Sequence, residues 1–275
     1  MNDVRPSPIA GTWYDANPKT LAAGIDSYLN NAQPPELDGQ VLAVIVPHAG
    51  HVYSGQVAAQ AFKTLQGSSP ELVIVLAPYH DFTPHLFLTS AHRFYSTPLG
   101  NIEVDSTTLA ELQKDLELPI TAIANDREHA LEIELPFLQR TLKNSFKLLP
   151  LMVRARDADT AKQLGAALAQ TIKNKNAVMV ASTDLSHFYD TKTAAILDHE
   201  MLRRFETIEP QAIFEAEQTG RGYACGHAAV ASMLWAAKLL GAHKVTTLSY
   251  ATSGDITGDH SSVVGYGAAV VLKKI

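Results

Sequence analysis

Short, continuous apolar runs rich in β-branched residues recur along the chain at residues 41–46 (VLAVIV), 72–76 (LVIVL) and 177–181 (AVMVA), with a fourth, FKLLPLMV, at 146–153. Runs of that length and make-up read as strands covered on both faces. Helix-like stretches follow them, at about 54–65 and 157–172 among others, so the order is strand then helix, repeated. That order predicts a mainly parallel sheet. Asn17 before Pro18 starts a helix at about 19–30, and Asp105 caps another that runs to about 116. Residues 85–98 alternate well enough for one or two antiparallel strands or a hairpin. Residues 128–142 (EHALEIELPFLQRTL) are helical by period, with Leu131, Leu135 and Leu138 on one stripe and Pro136 as a kink or a second start. Helices are expected at 191–205, 209–218 and 227–240, and closing strands at 244–252 and 262–272. The expected fold is a single α/β domain over residues 1–275, with a central mixed, largely parallel sheet flanked by helices.

Composition narrows the function. The chain carries 22 basic and 28 acidic residues, a formal net charge of −6, and neither sign is gathered into a block. Arg203 and Arg204 are the nearest thing to a basic cluster, so no direct nucleic-acid partner is expected. No apolar run approaches the roughly 20 residues of a bilayer span, and the first residues lack the apolar core of a secretory signal. The expectation is a cytoplasmic protein with no membrane contact. A single cysteine, Cys225, excludes an internal disulfide.

The chemistry gathers where apolar runs end. VPHAG (46–50), APYH (77–80), STDLSH (182–187) and YACGH (223–227) each offer a metal-ligating or proton-moving side chain. In α/β sheets, ligands bind at the carboxyl ends of strands, which is where His48, His80, Asp184 and His187 fall. A lone histidine in a turn is usually just hydrogen-bonded, but His48 and His80 end consecutive strands of a strand–helix–strand unit and are expected to be neighbours. Cys225, just before a helix N-terminus that favours a thiolate, is either a third metal ligand or a buried apolar filler. Two imidazoles and one thiolate suit zinc, iron(II) or copper. Asp184 either orients His187 or caps the next turn, and His187 beside a metal is a general acid or base. His129 and Glu132 share a helical face, as support for a metal ligand or as a surface salt-bridge face. Ser54, Ser182 and Ser186 lie near histidines, but no G-x-S-x-G elbow is present. Residues 254–260 are glycine-rich without the form of a phosphate-binding loop, and read as a loop at the site rim.

With these residues in view, the chain resembles the Memo family, whose bacterial and archaeal members are also called AmmeMemoRadiSam system protein B. The resemblance rests on AGTWY (10–14), VPHAGHVYSG (46–55), APYH, STPLG (96–100), EHALEIELPFL (128–138), PLMV (150–153), STDLSH, CGHAAV (225–230) and GYGAAV (265–270), in that order. It implies a fold like that of class III extradiol dioxygenases. It also implies metal ligation by His48, His80 and Cys225, acid/base work by His187 with Asp184, and a pocket lined by Glu128, His129 and His227. A thiolate in place of the dioxygenases' carboxylate shifts preference from iron toward copper or zinc. The expected function is metal-dependent redox chemistry, with copper or iron and zinc as a further candidate, on a small substrate. The alternatives are an inactive module that binds a peptide or small anion in the same pocket, and zinc-dependent hydrolysis. The resemblance further implies association with a radical-SAM protein and an AMMECR1-like protein.

Overall fold

The computed structural model describes residues 3–274; residues 1, 2 and 275, the ends of the expected domain, lie outside the described residues. The chain runs β1 (Val4–Arg5), α1 (Pro18–Asn31), β2 (Gln40–Val46), α2 (His51–Lys63), β3 (Leu72–Pro78), β4 (Phe87–Ser90), β5 (Phe94–Thr97), β6 (Gly100–Glu103) and α3 (Ser106–Asp115). It continues through β7 (Ile120–Ile123), α4 (Leu135–Thr141), β8 (Lys147–Val153), α5 (Ala158–Ile172), β9 (Ala177–Ser182) and β10 (His187–Tyr189). It closes with α6 (Thr191–Glu206), α7 (Gln211–Gln218), α8 (His227–Leu239), β11 (Ala242–Thr252), α9 (Gly254–Thr257) and β12 (Val263–Lys273).

The apolar runs form the middle of one sheet. β2, β9, β3 and β8 are parallel neighbours in that order. β12 pairs antiparallel with β2 and, along its other edge, with β11. At the far side, β4 lies antiparallel to β8, and β7 parallel to β4. The sheet is therefore mixed, as expected, with its four inner strands parallel and an antiparallel pairing on either side of them. Successive residues of its inner strands alternate between two cores: Ala43 and Ile45 face α5 and α8, whereas Val44 and Val46 face α1, α2 and α4. Period-2 side-chain direction and helices on both faces explain why these strands are apolar throughout. No helix among the described residues is long and apolar enough to cross a membrane.

Three expectations are corrected. β2 and β3 are not neighbours, because β9 enters between them; their crossover skips one position, which a later strand fills. Residues 85–98 do form two strands, but β4 joins the main sheet while β5 pairs with β1 and β6 in a small second sheet. The hairpin is β5 with β6. Finally, residues 128–142 are not one helix. A single 3-10 turn (Glu132–Glu134) precedes α4, which starts with Pro136 in its first turn, where a missing N–H costs nothing. Before it, the Glu128 side chain accepts the N–H of Ala130 and Asp126 accepts that of Glu128, local bonds that replace helical ones.

Candidate functional site

The carboxyl ends of β2, β3 and β9 deliver His48, His80 and the 182–187 segment to one edge of the sheet. Although His48 and His80 are not on adjacent strands, their rings sit edge to face with centroids 5.4 Å apart. His129 joins them from the irregular segment before α4, stacked on His80 at 4.7 Å and tilted against Trp13 at 4.1 Å. One ring nitrogen from each of His48, His80 and His129 lies within 4.8 Å of the other two, close enough for the three to hold a metal ion. Cys225 stands against the same cluster, its sulfur 3.1 Å from His48 Nε2.

Two of the imidazoles are held from behind. The buried His48 ring places Nδ1 2.9 Å from Ser182 Oγ, which itself lies 2.7 Å from both the Ala130 carbonyl and Glu134 Oε1. A hydroxyl has one proton, and a carbonyl can only accept, so Ser182 donates to Ala130. Burial pushes the Glu134 carboxyl well above its usual range. With its one proton committed to these acceptors, Ser182 accepts Nδ1–H of His48. The outcome is that His48 keeps a lone pair on Nε2, facing the cluster. His80 is held in the same sense: its Nδ1 lies 3.0 Å from Glu128 Oε1, and its main-chain N–H donates to Glu128 Oε2 at 2.7 Å. Carboxylate or hydroxyl partners behind histidine are the usual support of metal ligands.

Electrostatics keep two of the rings neutral. Burial, and then the neighbouring histidines, lower His48 to about 3 and His129 to about 4. For His80, burial pulls the pKa down but the hydrogen bond and charge of Glu128 outweigh it, leaving it above the ordinary value. Burial opposes ionisation of Glu128 as well, yet His80 and the N–H groups of Ala130 and His80 draw it down to about 2. The Cys225 thiol goes the other way. Burial, followed by the Asp184 charge, pushes it up, so in the metal-free protein the sulfur carries its proton despite the N–H of Asp184 at 3.3 Å. The helix N-terminus does not by itself make the thiolate that the sequence suggested.

Asp184 and His187 interact through charge alone. No hydrogen bond joins them; Asp184 Oδ1 accepts the main-chain N–H of His48 at 2.7 Å and so fixes the loop that carries that ligand. His187 is instead placed by its strand, opposite Val264 of β12, and its buried Nε2 has no hydrogen-bond partner among the described residues. Phe188, with φ of 66°, is turned outward beside it. His227 faces away from the cluster toward α7, with Nδ1 3.1 Å from the Ala224 carbonyl and its ring against Phe214. Glu132 is fully buried and points to Arg5, not along a shared face with His129 or into a surface salt bridge. Arg5 had no signal in the sequence. Ser182 was weighed there only as a hydrolytic serine, and Glu134 and Trp13 stood in the EHALEIELPFL and AGTWY segments without a role.

Asp184 gives a metal-independent test. Burial raises its pKa to about 6, against the opposing pull of the His48 N–H. A folded-state pKa above the unfolded one means the native chain binds the extra proton, so stability falls as pH rises from about 4 to about 6. Asp184→Asn removes that loss. In denaturant titrations of metal-free protein, the variant should gain on the parent steadily between pH 4 and 6 and hold that gain at pH 7. A stability difference flat across that range would show that Asp184 does not titrate there.

The sequence pattern of the Memo-like protein family matches residues 5–270. A MEMO1 family protein of Nitrosopumilus maritimus is 36% identical over 270 residues, covering 96% of this chain and 98% of that protein. One from Methanopyrus kandleri is 34% identical over 98% of this chain and 99% of its own length. Among solved structures, an uncharacterized protein, JW3007, of Escherichia coli K12 shares the fold, with a TM-score of 0.55 at 13% identity over 83% of this chain and 99% of that one. On the near full-length match and this identity, the chain belongs to the Memo-like family.

Proposed function

We propose that the protein is a metal-dependent redox enzyme acting on a small substrate, with the metal held by His48 and His80 together with His129, Cys225 or both. The observation that carries this reading is the donor set itself: three imidazole nitrogens within 4.8 Å, two of the rings tied at Nδ1, and a sulfur 3.1 Å from one of them. Neutral imidazoles and a thiol suit copper, iron(II) or zinc better than a hard cation. Bound there, copper or iron supplies electron transfer and a Lewis acid, and zinc the latter alone.

The chain's own residues supply the rest. His187 Nε2, buried and unpartnered, is free to take a proton from a substrate atom at the cluster; burial lowers its pKa, so it starts as a base. Trp13 covers one face of His129 and shields it from water. His80 keeps 38% of its side chain exposed, which leaves a way in. Phe82, two residues on and 90% exposed, offers an apolar wall beside that way in.

The test is elemental analysis of protein purified without a metal-binding tag or chelator, for wild type, Cys225→Ser and His129→Ala. Stoichiometric copper, iron or zinc in the wild type is expected, and the variant that loses more of it names the third ligand. Wild-type protein that holds no metal and takes none up sinks the reading and leaves a peptide- or anion-binding module.

A further inference from the structure

Arg5 is the largest fully buried side chain among the described residues, and every N–H of its guanidinium is spent. Nε donates to Asp126 Oδ2 at 3.0 Å, and Nη2 to Asp126 Oδ1 and to the Glu128 carbonyl, both at 2.8 Å. Nη1 donates to Glu132 Oε2 at 2.6 Å and to the Pro6 carbonyl at 3.2 Å. The guanidinium lies 4.9 Å over the Tyr95 ring. The second Glu132 oxygen accepts from Tyr14 and Ser7, both at 2.7 Å.

The three residues gripped by this fork, Asp126, Glu128 and Glu132, bracket His129. Glu128 is bound to Arg5 through its main chain and to His80 through its side chain. A segment with no helix of its own until Glu132 needs some other restraint to hold two site residues in register, and the fork is that restraint. Arg5 in turn is anchored by β1 pairing with β5 and by the Arg93 and Phe94 N–H groups on the Asp3 carbonyl.

We propose that Arg5 is a positioning residue of the histidine cluster: through Glu128 it sets the ring of His80 with its proton on Nδ1 and Nε2 free, so the N-terminal strand is a working part of the site. In its bearing on metal the inference rests on the proposed function, but the ring geometry it predicts does not. Replacing the fork by a point charge tests it, since a lysine keeps the charge and cannot reach Asp126, Glu132 and the Glu128 carbonyl together.

The experiment records long-range ¹H–¹⁵N correlations of the histidine rings in metal-free wild type, Arg5→Lys and Asp126→Asn at pH 8, together with zinc affinity by competition against a chromogenic chelator. Wild type should show His80 protonated on Nδ1. Both variants should shift His80 toward the Nε2–H form and bind zinc roughly 10- to 100-fold more weakly. If Arg5→Lys does not fold, Asp126→Asn, which keeps the side-chain shape, decides alone. A folded variant, less stable to heat but with an unchanged His80 tautomer, makes Arg5 merely structural and overturns the proposal. Wild type that binds no zinc would strike zinc from the candidate metals, and the tautomer would still decide this proposal.

Discussion

His48→Ala should cost the protein its metal while leaving it folded. The ring removed meets Cys225 at 3.1 Å and stands edge-on to both His80 and His129, so it is the one donor in contact with every other. Site free energies of about 10–16 kcal/mol shared over about four ligands give roughly 3 kcal/mol each, or on the order of a hundredfold in affinity. The fold should survive because the bond that shapes the loop comes from the main-chain N–H of His48 to Asp184, which alanine retains. Ser182 loses one donor but keeps Ala130 and Glu134. Chelator competition on protein with an unchanged far-ultraviolet dichroism spectrum makes the comparison. Equal affinity in the variant would take His48 out of the ligand set.

The parts of this molecule that could be read from the sequence are those whose signal is local. β-branched apolar runs found β2, β3, β8 and β9, and the rule that chemistry sits at carboxyl ends put His48, His80, Asp184 and His187 on the correct edge. Strand order was not local. Nothing in residues 41–76 tells that a strand 100 residues later will part β2 from β3. The segment before α4 was misread because its leucines keep helical spacing while its carboxylates answer to Arg5, 121 residues from Asp126 and 127 from Glu132. Tertiary charge pairing overrode a periodic pattern. The same blindness hid the Glu134–Ser182–His48 link, since His48 and Ser182 stood out only singly and the burial that joins them to Glu134 exists only in the fold. His129 entered the sequence reading as support and emerged as a donor, because leaving the helix turned its ring toward His48 and His80.

Gly226→Ala should be severely damaging for a single methyl added beside the site. Gly226 has φ of −96°, which any residue adopts, so backbone strain is not the issue. Space is: the new Cβ would run into the Ser182 carbonyl oxygen and lie 2.7 Å from Thr183 Cβ. Neither can yield easily. Ser182 is in register with Val46, the Thr183 N–H is bonded to the Val46 carbonyl, and Thr183 Oγ1 accepts the Gly226 N–H at 2.9 Å. Relief therefore requires the start of α8 to back away from β9, and Cys225, one residue earlier, goes with it. A clash of this kind in a packed interior costs about 3 kcal/mol or more, a drop of roughly 6–12 °C in Tm for a chain of this size. Gly24→Ala is the matched control. It sits on the exposed side of α1 with nothing within 4 Å of its Cβ, and should gain about 0.4–1 kcal/mol. Thermal melts should thus move in opposite directions for the same chemical change. In Gly226→Ala the Cys225 thiol should also react faster with a disulfide reagent, because the His48 ring that covers it stays behind. A Gly226→Ala protein with parental Tm and thiol reactivity would mean that α8 can shift without cost, and that the placement of Cys225 beside His48 is not fixed by the strand–helix contact.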